Sequence, residues 1–239
     1  MKSIILFGAG SAIAKSYIEH VQSLNDNYDI ICISSTTEKN NLCNRHYQTD
    51  YSIDNLSKIV FELKKSITAL HQVVIFNGQL HNAKSMPEKK IENINNEYFC
   101  ELMQSNTLTP IVCLQSILPL LDHSTKCTIT ALSARVGSIT DNQLGGWYTY
   151  RASKAALNML FQTAAIELAR RAKQTKLLLF HPGTTDTPLS KPFQRNVPKD
   201  KLFTTSYVAQ QLFALTQFEH LECDGQVDYI DWKGNKIPW

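Results

Sequence analysis

This 239-residue sequence predicts an α/β fold: a Rossmann-type, doubly wound parallel sheet in a single domain spanning residues 1–239. Three observations lead there. Short apolar runs rich in β-branched residues, such as SIILF and QVVIF, alternate with longer segments of helical pattern. These runs have no polar alternate positions, as expected of strands buried on both faces of a parallel sheet. The first run passes directly through Gly8-Ala9-Gly10 into a helix, which is how dinucleotide-binding units open.

The elements follow in order. Ser3–Phe7 reads as a strand and Ser11–Leu24 as a helix; Asp29–Ile33 and His46–Gln48 read as strands. A helix over Ser52–Ala69 precedes the strand Gln72–Phe76, and one long helix is expected over Asn95–Leu121. Cys127–Leu132 is a strand, Tyr148–Lys173 a long helix, and Lys176–Phe180 a strand. The last helix is Ser206–Gln217, and Gln226–Ile230 closes as a strand. Between them, residues 187–205 carry Pro188, Pro192 and Pro198 among lysines. So long a connection, leaving a strand end where sites gather, reads as a substrate lid.

Composition narrows the function. The net charge is only +3 and the basic residues form no stripe, which speaks against nucleic acid as a partner. The six cysteines form no C-x-x-C pair; they read as reduced thiols in a cytoplasmic protein, and no metal is expected. The N-terminal apolar run is too short for a signal peptide, and no stretch reaches the roughly 18 apolar residues of a membrane span.

The strand-to-helix turn Gly8-Ala9-Gly10-Ser11-Ala12 aims free amides and a helix dipole at an anion, as a dinucleotide phosphate requires. Alanine serves where glycine is usual provided φ stays negative. The second strand runs into Ser34-Ser35-Thr36-Thr37, with no acid to repel a 2′-phosphate, which favours NADP over NAD. The same hydroxyls also suit a plain turn.

Tyr150 and Lys154 stand at i and i+4, on one helix face, whereas Tyr148 has Ala152 there. A nearby ammonium is expected to lower the phenol pKa and fit Tyr150 for proton exchange with a carbonyl or alcohol oxygen. Upstream, Pro110 follows Asn106 by four residues, so the Asn106 carbonyl loses its helical partner. Either a kink or an anchor for water follows.

In this order the pieces resemble a classical short-chain dehydrogenase/reductase, with the C-factor and sniffer-type carbonyl reductases as the branch most alike. The likeness runs from Lys2 to Trp239 and is most specific in VGSITDNQLGGWYTYRASKAALNM, HPGTTDTPLSKPF and DWKGNKIPW. The resemblance implies a phosphate-binding turn at Gly8 to Ala14, including Ser11, Ala12 and Ile13. It implies an adenine contact at Asp50, and Asn77-Gly78 in place of a longer family motif. Asn106 would anchor a water in a proton relay, Tyr150 would be the acid/base, and Lys154 would also bond the nicotinamide ribose. The family's Pro-Gly segment falls on Pro182-Gly183, and Thr185 and Thr187 match the positions that hold the carboxamide; apart from the resemblance, hydroxyls such as that of Ser35 can bond a 2′-phosphate. The substrate-orienting serine of the family falls on Ala134, with Ser133 one residue earlier; a bulge could re-aim Ser133.

The expected activity is hydride transfer between NADP and a small carbonyl or alcohol, catalysed by Asn106, Ser133, Tyr150 and Lys154. The expected assembly is a homodimer or homotetramer built through the two long helices. The alternative is a dinucleotide-binding sensor or interaction protein with weak catalysis, suggested by Ala134 and the alanine-substituted loop.

Overall fold

All seven predicted strands lie in one parallel sheet in the computed structural model, which describes residues 2–24, 26–218 and 221–239. They are β1 (Lys2–Phe7), β2 (Tyr28–Ser34), β3 (Arg45–Gln48), β4 (Leu70–Ile75), β5 (Cys127–Leu132), β6 (Thr175–His181) and β9 (Asp228–Asp231). Their order is β3-β2-β1-β4-β5-β6-β9. The chain moves outward from β1 in one direction, then returns to β4 and moves outward in the other. A crevice therefore opens between the C-terminal ends of β1 and β4.

Two apolar layers bury the sheet. Helices α1 (Ala12–Ser23) and α6 (Thr205–Leu215) cover one face. On the other lie α2 (Ile53–Leu63), α4 (Thr109–Ile117) and α5 (Tyr148–Arg171). Each helix has a local reason to start where it does. Ser11 caps α1 by accepting the Ala14 N–H at 3.2 Å, and Ser52 caps α2 by accepting the Asn55 N–H at 3.3 Å. Helix α2 then buries Leu56, Ile59, Val60 and Leu63, one stripe at helical spacing. Full burial of each such side chain contributes about 1.5–3 kcal/mol.

Two expectations need correction. Helix α2 stops at Leu63 rather than Ala69, where Lys64, Lys65 and Ser66 turn the chain ahead of β-branched Ile67 and Thr68. The long helix is not continuous. It runs as α3 (Asn96–Met103), a π-helical turn at Gln104–Leu108, α4, and a 3-10 turn at Leu118–Leu120. Pro110 cannot give an amide proton to Asn106, so the chain widens and the Thr109 N–H reaches back five residues to Gln104. Within residues 187–205 the chain forms 3-10 turns at Lys191–Asn196 and Lys199–Lys201. A parallel ladder joins β7 (Thr184–Thr185) to β8 (Leu202–Phe203), two strands too short to read from the sequence.

A buried polar chain locks one helical layer to the sheet. The Tyr17 hydroxyl on α1 donates to Gln72 Oε1 on β4 at 2.5 Å, and Gln72 Nε2 donates to Thr216 Oγ1, beyond α6, at 2.7 Å. Burial holds the Tyr17 phenol far above its usual range, so it acts only as a neutral donor. Tyr17→Phe leaves the Gln72 carbonyl unpaired and is expected to cost about 1–3 kcal/mol, read as a lower urea midpoint with an unchanged m-value.

Candidate active site

The crevice between β1 and β4 continues into a cavity of about 500 Å³. One wall is the first turn of α1, with Ser11, Ala12, Ile13 and Lys15. Another is the end of β4, with Phe76, Asn77 and Gly78. Leu132, Ser133, Tyr150 and Lys154 line the floor, and Pro182, Gly183, Thr185, Thr187 and Ser190 the far side. An adjoining cavity of about 340 Å³ is lined by Gly8, Ser34, Ser35, Thr36, Glu38 and Tyr51, among others.

The loop after β1 is shaped for close approach. Gly8 has φ +69°, and a Cβ there would stand 2.9 Å from the Asn77 nitrogen. The alanines of the turn avoid positive φ, as the sequence reading required. Asn77 lines both cavities, and a side chain at Gly8 would crowd its Oδ1 at 3.2 Å, so the glycine keeps open a cradle that a dinucleotide would fill. Glycine at position 78 lets the Lys154 and Asn106 side chains close on the chain there, since its Cβ would sit 3.3 Å from Lys154 Nζ and 3.4 Å from Asn106 Oδ1. These features fit a nicotinamide dinucleotide.

Asn106 lies fully buried in the π-helical turn. Its Oδ1 accepts the Gln79 N–H at 2.6 Å, while Nδ2 donates to the Gln79 carbonyl at 2.8 Å and to Ser153 Oγ at 3.0 Å. Ser153 Oγ donates in turn to the Tyr150 carbonyl at 2.8 Å. The side chain of Asn106 thus ties the end of β4 to α5.

Tyr150 and Lys154 share a face of α5, and Lys154 Nζ stands 6.0 Å from the Tyr150 ring centroid. Lys154 Nζ donates to the Leu132 carbonyl at 2.8 Å. Burial pushes the Lys154 ammonium down to about 8. Burial likewise raises the Tyr150 phenol, with smaller contributions from Tyr229 and Tyr98. The expected lowering of Tyr150 by Lys154 is therefore outweighed: desolvation exceeds the attraction of an ammonium across that distance.

Other site residues fall less simply. Ser133 lines the cavity, but its hydroxyl donates to Asn158 Oδ1 at 2.7 Å. No bulge separates β5 from Ala134, whose methyl packs in a buried cluster with Leu80, Tyr98, Leu102 and Tyr150. The Asp50 carboxylate lines neither cavity. It accepts the Ser52 hydroxyl and N–H at 2.7 and 2.9 Å, bonds that hold it below the usual carboxylate range. Its neighbour Tyr51 is the residue that sequence reasoning missed. At φ +62°, it turns its hydroxyl to accept the Gly8 N–H at 3.0 Å. The stretch after β2 also holds an acid after all. Glu38 reaches Lys15 at 3.5 Å across a pocket of about 270 Å³ that Lys39, Thr36 and His46 share. The Thr36 hydroxyl accepts the Glu38 N–H at 3.1 Å, the turn that such hydroxyls suit.

This fold and this site define a dinucleotide-dependent oxidoreductase. The family model for short chain dehydrogenase matches residues 2–198, and the chain belongs to that family. It is a nicotinamide-dependent enzyme that transfers a hydride between its cofactor and a carbonyl or alcohol of a small molecule. A relative from Rhodococcus sp. (strain AD45), 1-hydroxy-2-glutathionyl-2-methyl-3-butene dehydrogenase, is 27% identical over 81% of this chain and 82% of its own. C-signal of Myxococcus xanthus is 28% identical over 56% of this chain and 74% of its own. Among solved structures, the carbonyl reductase Sniffer of D. melanogaster superimposes with a TM-score of 0.84 at 18% identity, covering 100% of both chains. Among the described residues no helix is long and apolar enough to cross a membrane.

The buried ammonium makes a pH prediction. Lys154 titrates near 8 in the folded chain against 10.5 ordinarily, so between those values the unfolded state holds a proton that the folded state has released. Stability then rises with pH through that window, and below it the fold carries the full cost of the buried charge. Relative to Lys154→Met, wild type is expected to gain on the order of 3 kcal/mol across the window. Paired urea titrations at several pH values measure this difference.

Proposed function

We propose that the chain is an NADP-preferring carbonyl reductase with Tyr150 as its general acid/base. The observation that carries this is the convergence of Tyr150, Lys154, Asn77 and Gly78 on one cavity with the first turn of α1. A bound nicotinamide supplies the hydride for reduction, or accepts it for oxidation. Gly8, Ser11, Ala12 and Ile13 line the phosphate end; Pro182, Gly183, Thr185 and Thr187 line the nicotinamide end. Tyr150 gives its proton to the substrate oxygen as that oxygen gains negative charge, and the Lys154 ammonium stabilises the phenolate left behind. The side chain of Asn106 keeps α5 fixed on the β4 loop, and its main-chain carbonyl would anchor the water through which that proton is replaced. Ser133 stays in the proposal as a wall contact, since its proton is given to Asn158.

Lys15 and Lys39, with Ser35 and Thr36 close by, support the preference for NADP. The Lys15–Glu38 pair is the opposing influence: both side chains are largely exposed, so the carboxylate can swing aside for a 2′-phosphate. The substrate end is aromatic. The Trp147 ring stands 6.1 Å from Tyr150 and 5.0 Å from Phe193, and Phe193 lies 5.9 Å from His81. Phe193 belongs to the segment 187–205, which supports reading that segment as a lid over an apolar carbonyl substrate. The six cysteines are free, which supports a cytoplasmic setting.

A second reading, a dinucleotide sensor with weak turnover, draws on the methyl of Ala134 beside Tyr150. Fluorescence titration with NADPH and NADH, then a screen of aryl and alkyl ketones, separates the two. NADPH is expected to bind more tightly, and Tyr150→Phe is expected to lower kcat by roughly 10²–10⁴-fold with NADPH binding kept. Tight binding with no turnover of any ketone favours the sensor; full turnover by Tyr150→Phe overturns the mechanism.

We further propose a homodimer or homotetramer built through α4 and α5, which leave Met159, Leu160 and Ile166 exposed on one long helix. Light scattering is expected to give two or four times the 27.1 kDa chain mass; a monomer at micromolar concentration overturns the assembly.

A further inference from the structure

Helix α5 begins without the usual means of holding its first turn. Its N-cap is Trp147, at φ 53° and ψ 40°, with no side-chain acceptor, and no acid stands in the turn that follows. A left-handed tryptophan persists only when its surroundings hold it there. One residue far away in sequence does so. Glu88, in the loop between β4 and α3, accepts the Trp147 N–H through its main-chain oxygen at 2.6 Å. Its carboxylate accepts the Thr149 N–H at 3.2 Å and also the Thr149 hydroxyl. Glu88 is 3% exposed and Thr149 is fully buried. Among the described residues no cation forms an ion pair with Glu88.

A buried carboxylate with no cation is costly unless other donors hold it. Here the donors are Thr149 and the positive end of α5, the first turn of which contains Tyr150. The same clamp fixes the backbone of Trp147, whose ring rests edge-on to Tyr150 and against Phe193. We propose that Glu88 is a positioning residue: its grip on Trp147 and Thr149 sets where the Tyr150 hydroxyl and the aromatic wall meet the substrate. This rests on Tyr150 being the acid/base. Misplacing a reacting group by about 1 Å can lower the rate on the order of 10²-fold, so a loosened first turn acts on kcat before it acts on cofactor affinity.

The test compares Glu88→Gln, Thr149→Val and Thr149→Ser, using NADPH and the best-reduced member of an aryl ketone panel. Glu88→Gln and Thr149→Val are each expected to lower kcat about tenfold or more, with the Kd for NADPH unchanged within about twofold. Thr149→Ser returns the hydroxyl and recovers most of kcat. Amide hydrogen exchange gives a readout independent of turnover: in Glu88→Gln it should quicken at residues 147–151 and not along the rest of α5. Unchanged kcat in both Glu88→Gln and Thr149→Val overturns the proposal, as does exchange that quickens along the whole helix. If Tyr150→Phe keeps full turnover, the acid/base reading fails first, and the exchange pattern still decides whether Glu88 holds the turn.

Discussion

The Lys154 ammonium donates to the Leu132 carbonyl across 2.8 Å, and the seating of α5 on the end of β5 turns on that contact. It needs the helix backbone to come very near the chain that leaves β5. Gly137 allows this: a Cβ there would stand 2.9 Å from Lys154 Cβ and 3.0 Å from Asn158 Nδ2. Ser133 and Asn158 close the same seam with a 2.7 Å hydrogen bond, and the Tyr229 hydroxyl on β9 donates to the Ala134 carbonyl at 2.6 Å. Small and polar side chains set how closely the first turns of α5 approach the sheet, while Leu157, Phe161 and Leu168 pack its later turns in the apolar core.

Two further ties determine the helix's rotation. Asn106 reaches it from the π-helical turn through Ser153, while Thr107 Oγ1 donates to the Ser153 carbonyl at 2.7 Å. Glu88 holds its first turn. Each tie is buried, and each joins segments widely separated in sequence. Buried polar groups of this kind are costly when broken and specific when whole. The site gains its geometry from them, and the fold bears the cost of burying the Lys154 charge.

The electrostatics of the site come mainly from burial. Desolvation works against the charged forms of both Tyr150 and Lys154, so the pair is a neutral phenol beside an ammonium that is easily discharged. That state suits a proton donor for reduction. The dinucleotide end is different: Lys15, Lys39 and Glu38 lie at the surface, where charges are screened and side chains move.

Much of this was legible in the sequence, for reasons that can be named. The strands SIILF and QVVIF announce a sheet buried on both faces, because no polar position interrupts them. The i, i+4 spacing places Tyr150 with Lys154 on any helix, and Pro110 forces a break opposite Asn106 in any fold. Contacts between distant segments were not legible. Nothing local says that Glu88 caps a helix some sixty positions later, that Tyr51 turns its hydroxyl onto Gly8, or that Glu38 lies across from Lys15. Nor could spacing say that the Ser133 hydroxyl turns to Asn158 while Ala134 packs against Tyr150. The sequence by itself determined the α/β class, the order of its elements and the placing of Tyr150 and Lys154 on one helix face, because periodicity and proline chemistry act over a few residues. Only the tertiary structure decided which buried polar groups meet, because hydrogen-bond partners across the fold are chosen by how the layers pack.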